Sequence, residues 1–162
     1  MTIAFTAPHL SAVMGIEEAW VDYNGHLNQA YYNVLFDRGI DEALMLAGLG
    51  PVYIKEQNAS YMTVETHVCF VRELFQTDTV RIASRVLDVD DKRLHLYCEM
   101  LHATEGWLSC TSEWMFLHID MNARRAAPWP ADMRASLEAM KSAASTLERP
   151  ERAGRSIGIK RK

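Results

Sequence analysis

No apolar run in the chain approaches the roughly 20 residues that a membrane-spanning helix needs. The opening "MTIAFTAPHL" has neither the positive start nor the unbroken apolar stretch of a secretory leader. Cysteine is sparse: Cys69, Cys98 and Cys110 are an odd three, set far apart in strand-like segments. They read as reduced, packed thiols of a cytoplasmic protein, not as a disulfide frame or a metal site. His67, His95, His102 and His118 show no metal-ligand spacing, and scattered strand histidines are the better reading. A G-x-S-x-G elbow, a P-loop and a G-x-G-x-x-G turn after a strand are all missing. A metal or nucleotide enzyme is therefore disfavoured, and no cofactor is expected.

Nor does the charge balance favour nucleic acid or a membrane surface. The net charge is −4, and the segment from Glu148 to Lys162 holds six Lys/Arg against two Asp/Glu, so the tail is +4 and the remainder −8. The tail lacks aromatic residues for stacking on bases. Residues 148–162 are expected as a basic, flexible tail and residues 1–147 as one domain. A 49% hydrophobic and 23% charged composition fits an ordinary soluble globular chain.

What is present is a clear order of elements. Ser11 to Val21 suggests a first strand with imperfect alternation. Asn28 is a credible N-cap for a long helix whose apolar residues, among them Ala30, Tyr31, Val34, Leu35, Ala43 and Leu44, recur at helical spacing. The Gly48 to Pro51 stretch is a stop signal. Gly39 inside this helix costs about 1 kcal/mol relative to Ala, and close packing against a sheet would be a reason for it. Tyr61–Arg72, Thr79–Val89, Arg93–His102 and Trp107–Ile119 are rich in Val, Thr, Tyr, Phe and Trp. The polar breaks "DVDDKR" and "ATEGW" predict hairpins between the last three. Ala131 to Leu147 returns to helical spacing, with Pro130 at its start. The pattern is an α+β single domain with an antiparallel sheet and a long helix.

Between the first strand and the long helix lies "WVDYNGHLNQAYY", dense in polar and turn residues. Asp22 stands just before a turn that Gly25 can make tight, and the helix mouth at Asn28 offers unpaired N–H groups and a positive dipole end. A carboxylate beside such donors can attack a carbonyl, or activate water against it, while the donors stabilise the oxygen as it turns negative. An ordinary turn aspartate is the competing reading on these residues alone.

The segment Asp22-Tyr23-Asn24-Gly25-His26-Leu27-Asn28, followed by a long helix and four strands, resembles the hotdog-fold acyl-CoA thioesterases of the 4-hydroxybenzoyl-CoA thioesterase type. The resemblance runs from about His9 to Met140, with Glu65 inside the second strand and Asp78 after it. "YMTVETHVCFVRE", "DDKRLHLYCEMLHA" and "RRAAPWP" are similar to the betainyl-CoA thioesterases and to the thioesterase half of carnitine dehydrogenase fusions. The sequence departs from the wider family at Gln29, where a second asparagine is common, and in "RELFQTD", which lacks the usual Pro and Gly before Asp78.

The resemblance implies a hotdog fold, an antiparallel sheet wrapped around a long central helix, with sites formed between two subunits of a homodimer or homotetramer. It implies acyl-CoA thioester hydrolysis in the cytoplasm, betainyl-CoA being the substrate and glycine betaine and CoA the products, in carnitine catabolism. Asp22 would be nucleophile or general base. Asn24 would hold Asp22 or the water, His26 would orient the turn, and donors around His26, Asn28 and Gln29 would face the oxyanion. Glu65 is a candidate second carboxylate. Arg72, Lys92 and Arg93 are candidates for the CoA phosphates, and Tyr31, Tyr61 and Trp114 for a trimethylammonium group. A thioesterase for aryl or fatty acyl-CoA, and a non-catalytic acyl-CoA-binding protein, are the alternatives.

Overall fold

The computed structural model describes residues 4–159 and 161. Its centre is α1, Gln29–Leu46, which starts where the sequence places its cap: the Asn28 side chain accepts from the Ala30 amide at 3.0 Å. The buried row Tyr32, Leu35, Phe36, Gly39, Ile40, Ala43 and Leu44 is the helical apolar stripe. Gly48 ends it at φ +96°, a conformation that costs little only for glycine. Pro51 does not stop the chain; it opens a second short helix, α2, Pro51–Gln57, in the first turn, where its missing N–H is no loss.

The strand expected over Ser11–Val21 is not continuous. Two-residue strands β1 (His9–Leu10) and β2 (Met14–Gly15) flank a break, and a 3-10 turn at Glu18–Trp20 follows. The break has a local cause. Ser11 Oγ takes the hydrogen of the Ile82 amide at 2.9 Å, replacing a main-chain acceptor where the ladder would have continued.

The long strands are β3 (Ala59–Phe70), β4 (Thr79–Val89), β5 (Arg93–His102) and β6 (Leu108–Asp120), with β7 (Arg125–Ala126) a short addition to β6. The sheet order is β1-β4-β5-β6-β3, antiparallel throughout, with β2 also on β4. Both expected hairpins form and make β4-β5-β6 a three-strand meander. β3 crosses to the far edge and pairs with β6 from Ala59↔Asp120 to Phe70↔Cys110, the register shifting by one residue between Thr63 and Glu65. The residues between β3 and β4 are too many for a tight hairpin, and they span the sheet instead.

Alternation sorts the two faces. Leu94, Leu96 and Met100 of β5 and Trp114 and Phe116 of β6 are buried with α1 in one core. Their neighbours His95, Glu113 and Met115 fall on the outer face. Helix α3, Ala131–Ala144, closes the core with Met133, Leu137 and Met140. Beyond it, Gly154 N donates to both carboxylate oxygens of Glu113, at 2.8 and 3.0 Å. His118 is buried and structural: Nδ1 donates to the Ala127 carbonyl at 2.9 Å, so Nε2 accepts from the Tyr53 hydroxyl at 2.7 Å.

Candidate active site

The polar segment between the 3-10 turn and α1 folds into a small closed loop. Asp22 N donates to His26 O, and Asn28 N to Trp20 O, both at 2.9 Å, which forms a bridge between Val21 and Leu27. Gly25 sits at φ +80°, where a side chain would be strained although nothing crowds the space around it. Asp22 Oδ1 accepts from Asn24 N at 2.8 Å, an Asx turn. The turn uses one carboxylate oxygen, and no group among the described residues bonds to Oδ2. The Ala30 amide goes to the Asn28 cap, and the Tyr31 amide to the Asn28 carbonyl at 3.0 Å. The amides of His26 and Gln29 have no acceptor among the described residues.

A second loop, 71–78, forms the opposite wall. Leu27 N donates to Leu74 O at 2.8 Å, which ties the helix mouth to it. Asp78 accepts from Phe75 N at 2.8 Å, and the Phe75 ring meets His26 edge-on with centroids 5.1 Å apart. Asp78 thus acts on the site through Phe75 and His26. Val71 N and Arg72 N both donate to Ser109 O at 2.9 Å, and Ser109 Oγ returns a bond to Arg72 O at 2.8 Å.

Between the two loops is a cleft of about 560 Å³, lined by Asp22, Tyr23, His26, Asn28, Gln29, Tyr32, Phe70, Arg72 and Glu73 among others. Of the candidate residues, Asp22, His26, Asn28, Gln29 and Arg72 come together here, and Asn24 and Gly25 shape the turn beside it. The rest lie elsewhere in the chain. Tyr31 stacks on Trp20, centroids 5.4 Å apart. Tyr61 donates to Asp41 at 3.1 Å; burial first, and the Asp41 charge second, hold its hydroxyl far above the usual tyrosine range. Trp114 packs on Phe116 in the core. Glu65 borders a different cavity, between the outer sheet face and the tail, with His67, His95 and Glu113. Arg93 turns onto Asp90 at 2.7 Å, and Lys92 is in the same hairpin turn.

The cleft aromatic on α1 is Tyr32, in the buried row, rather than Tyr31 one position earlier. Burial raises its hydroxyl, keeping it protonated as a donor. The periodicity of the buried row was the available signal, since Tyr32 is in phase with Leu35, Phe36 and Gly39. Phe70 and Glu73 had no such signal, because they face the cleft only after β3 reaches the far edge.

A family model described as the thioesterase-like superfamily matches residues 16–137. The chain belongs to that superfamily. A Pseudomonas aeruginosa member named betainyl-CoA thioesterase is 34% identical over 86% of this chain and 88% of its own length. A Rhizobium meliloti relative named L-carnitine dehydrogenase/betainyl-CoA thioesterase is 35% identical over 90% of this chain. The chain spans only 29% of that larger relative. A Staphylococcus aureus protein solved in complex with CoA superposes with a TM-score of 0.87 at 24% identity, covering 96% of this chain and 99% of that one. This chain has the hotdog fold of that superfamily, a long helix packed on an antiparallel sheet. No helix among the described residues is long and apolar enough to cross a membrane.

Proposed function

We propose that this chain is an acyl-CoA thioesterase acting on betainyl-CoA. The observation that carries the reading is the pairing, in one cleft, of the Asp22 carboxylate with the open amides of the α1 mouth. Asp22 attacks the thioester carbonyl or activates the attacking water. The Gln29 and His26 amides receive the developing oxyanion, a contribution of roughly 3–4 kcal/mol per donor. Expulsion of the CoA thiolate follows: where water attacks, it leaves the free acid, and where Asp22 attacks, it leaves an acyl anhydride on Asp22 that water then hydrolyses to the free acid and the carboxylate.

Betainyl-CoA is supported by the names of the two relatives and by the cleft's makeup. A trimethylammonium group donates no hydrogen bond, so it is recognised by aromatic faces and negative charge. Tyr23, Tyr32 and Phe70 supply the first, and Glu73 with Asp22 the second. The test is hydrolysis of betainyl-, benzoyl- and straight-chain CoA esters, with 3,3-dimethylbutyryl-CoA as the neutral isostere. Betainyl-CoA turning over faster than the isostere supports the assignment. Equal rates reject betaine and leave thioester hydrolysis standing.

The working form is a homodimer or larger homo-oligomer. Strand β3 is a sheet edge whose residues Met62 to Thr66 are all exposed, including Met62 and Val64. A long edge with apolar side chains calls for a covering partner. Light scattering at micromolar concentration giving the mass of a fully active monomer would refute this. The reduced cysteines fit a cytoplasmic location.

A further inference from the structure

Arg72 is the only Lys or Arg among the residues lining the cleft, which also holds two acids, Asp22 and Glu73. No carboxylate of the described residues lies within 4.0 Å of its guanidinium to form an ion pair. What holds it is an aromatic face. Its Cζ sits 3.9 Å from the centroid of the Trp107 ring. The backbone makes this possible, because the three hydrogen bonds between residues 71–72 and Ser109 fix Arg72 beside Ser109, two residues past Trp107 at the start of β6.

Trp107 is itself fixed. The His102 ring stacks on it at 4.8 Å with a 20° interplanar angle, and its Nε1 donates to Glu105 at 2.7 Å. The Trp107 ring is thus in contact with both the Arg72 guanidinium and the His102 imidazole. His102 is held in turn: Glu105 N donates to its Nδ1 at 3.0 Å, so the ring proton is on Nε2, which faces Asp78 at 3.6 Å.

The effect of this indole is to hold the guanidinium while leaving its N–H fork unpaired at the cleft. An unpaired fork with five donors suits phosphate oxygens. We infer that Arg72 is the phosphate-recognition group of this cleft and that Trp107, clamped by His102, is the positioning residue that presents it to a phosphate of coenzyme A. The inference rests on the acyl-CoA reading for its ligand, but not on hydrolysis.

Calorimetric titration with coenzyme A and with pantetheine, which carries no phosphate, separates the possibilities. Wild-type protein should bind coenzyme A more tightly than pantetheine. Arg72→Gln should weaken coenzyme A about tenfold, as loss of a charge-assisted contact does, and leave pantetheine unchanged. Trp107→Leu should do the same, Trp107→Phe should recover most of the affinity by restoring an aromatic face, and Arg72→Gln with Trp107→Leu should be no worse than Arg72→Gln alone. Coenzyme A binding indifferent to Arg72→Gln, or a wild type that does not prefer coenzyme A, overturns the assignment. Parallel losses for both ligands in Trp107→Leu, with no recovery in Trp107→Phe, overturn the positioning role. Absence of hydrolysis alongside Arg72-dependent binding would sink the catalytic reading and uphold this one.

Discussion

Gly39 lies so close to Ile82 that a Cβ built on it would stand 2.5 Å from the isoleucine Cβ. The contact is helix against sheet, α1 on β4, and its near atom is a branch point rather than the end of a flexible side chain. Alanine improves helix propensity by about 1 kcal/mol. Overpacking of this kind costs roughly 1–3 kcal/mol and should outweigh it. Gly39→Ala should therefore lower the melting temperature by several degrees in calorimetry. A melting temperature at or above the wild type would mean that α1 is not seated as described.

Asp22→Asn keeps an acceptor for the Asn24 amide but removes the charge and the nucleophile. The variant should melt like the wild type and lose at least about 100-fold in kcat. Glu65→Gln should retain most activity, because Glu65 sits five residues from Phe70 along an extended strand, about 16 Å away. Steady-state hydrolysis of the best CoA ester compares the two. The reverse ranking would transfer the chemistry to the outer face.

Asp90 accepts from the amides of Lys92 and Arg93 and from Arg93 Nε, at 2.9, 2.7 and 2.7 Å. The Arg93 side chain first, then the Lys92 amide, hold its carboxyl down at about 2. A folded-state value below the unfolded one adds stability above the ordinary carboxylate range, and that stability is lost as pH falls toward 2. In denaturant melts, Asp90→Asn should flatten the acid limb between about pH 4 and 2. An unchanged slope would assign the acid limb to other carboxylates.

Burial pushes the Cys98 and Cys110 thiols up to about 12, so neither offers a thiolate near neutrality. Cys69 is half-buried. A disulfide reagent at pH 8 should label one thiol quickly in the native protein and all three only in denaturant. Rapid labelling of two or three would contradict the packing of β5 and β6.

Much of this fold was legible because its signals are local. The Asn28 cap, the α1 stripe and the bounds of β4 and β5 each depend on residues within a few positions of one another. Gly39 even announced its cost, and Ile82 supplies the reason. Strand partnership is a different kind of fact. The Val, Thr, Tyr and Phe content of β3 says that it is a strand, but not that β6 rather than β4 receives it. Pro51 was ambiguous for a related reason, since the same ring that cannot continue one helix suits the first turn of the next. At the site, the Asp22 turn could be read from adjacent residues. The Tyr32 wall needed the helical phase, and the Arg72–Trp107 contact needed the β3–β4 crossover to meet the β5–β6 turn, which no spacing encodes.

The far-edge position of β3 has a consequence in time. The β4-β5-β6 meander joins neighbours in sequence, whereas Phe70 and Cys110 must meet across 39 intervening positions, and Ala59 and Asp120 across 60. Closing such loops is entropically costly before any contact rewards it, so pairings of this range tend to form late. Phe70 and Glu73, at the end of β3, reach the cleft only when that pairing is made. During refolding, a fluorescence signal from the core Trp114 should therefore recover no later than the ability to bind coenzyme A.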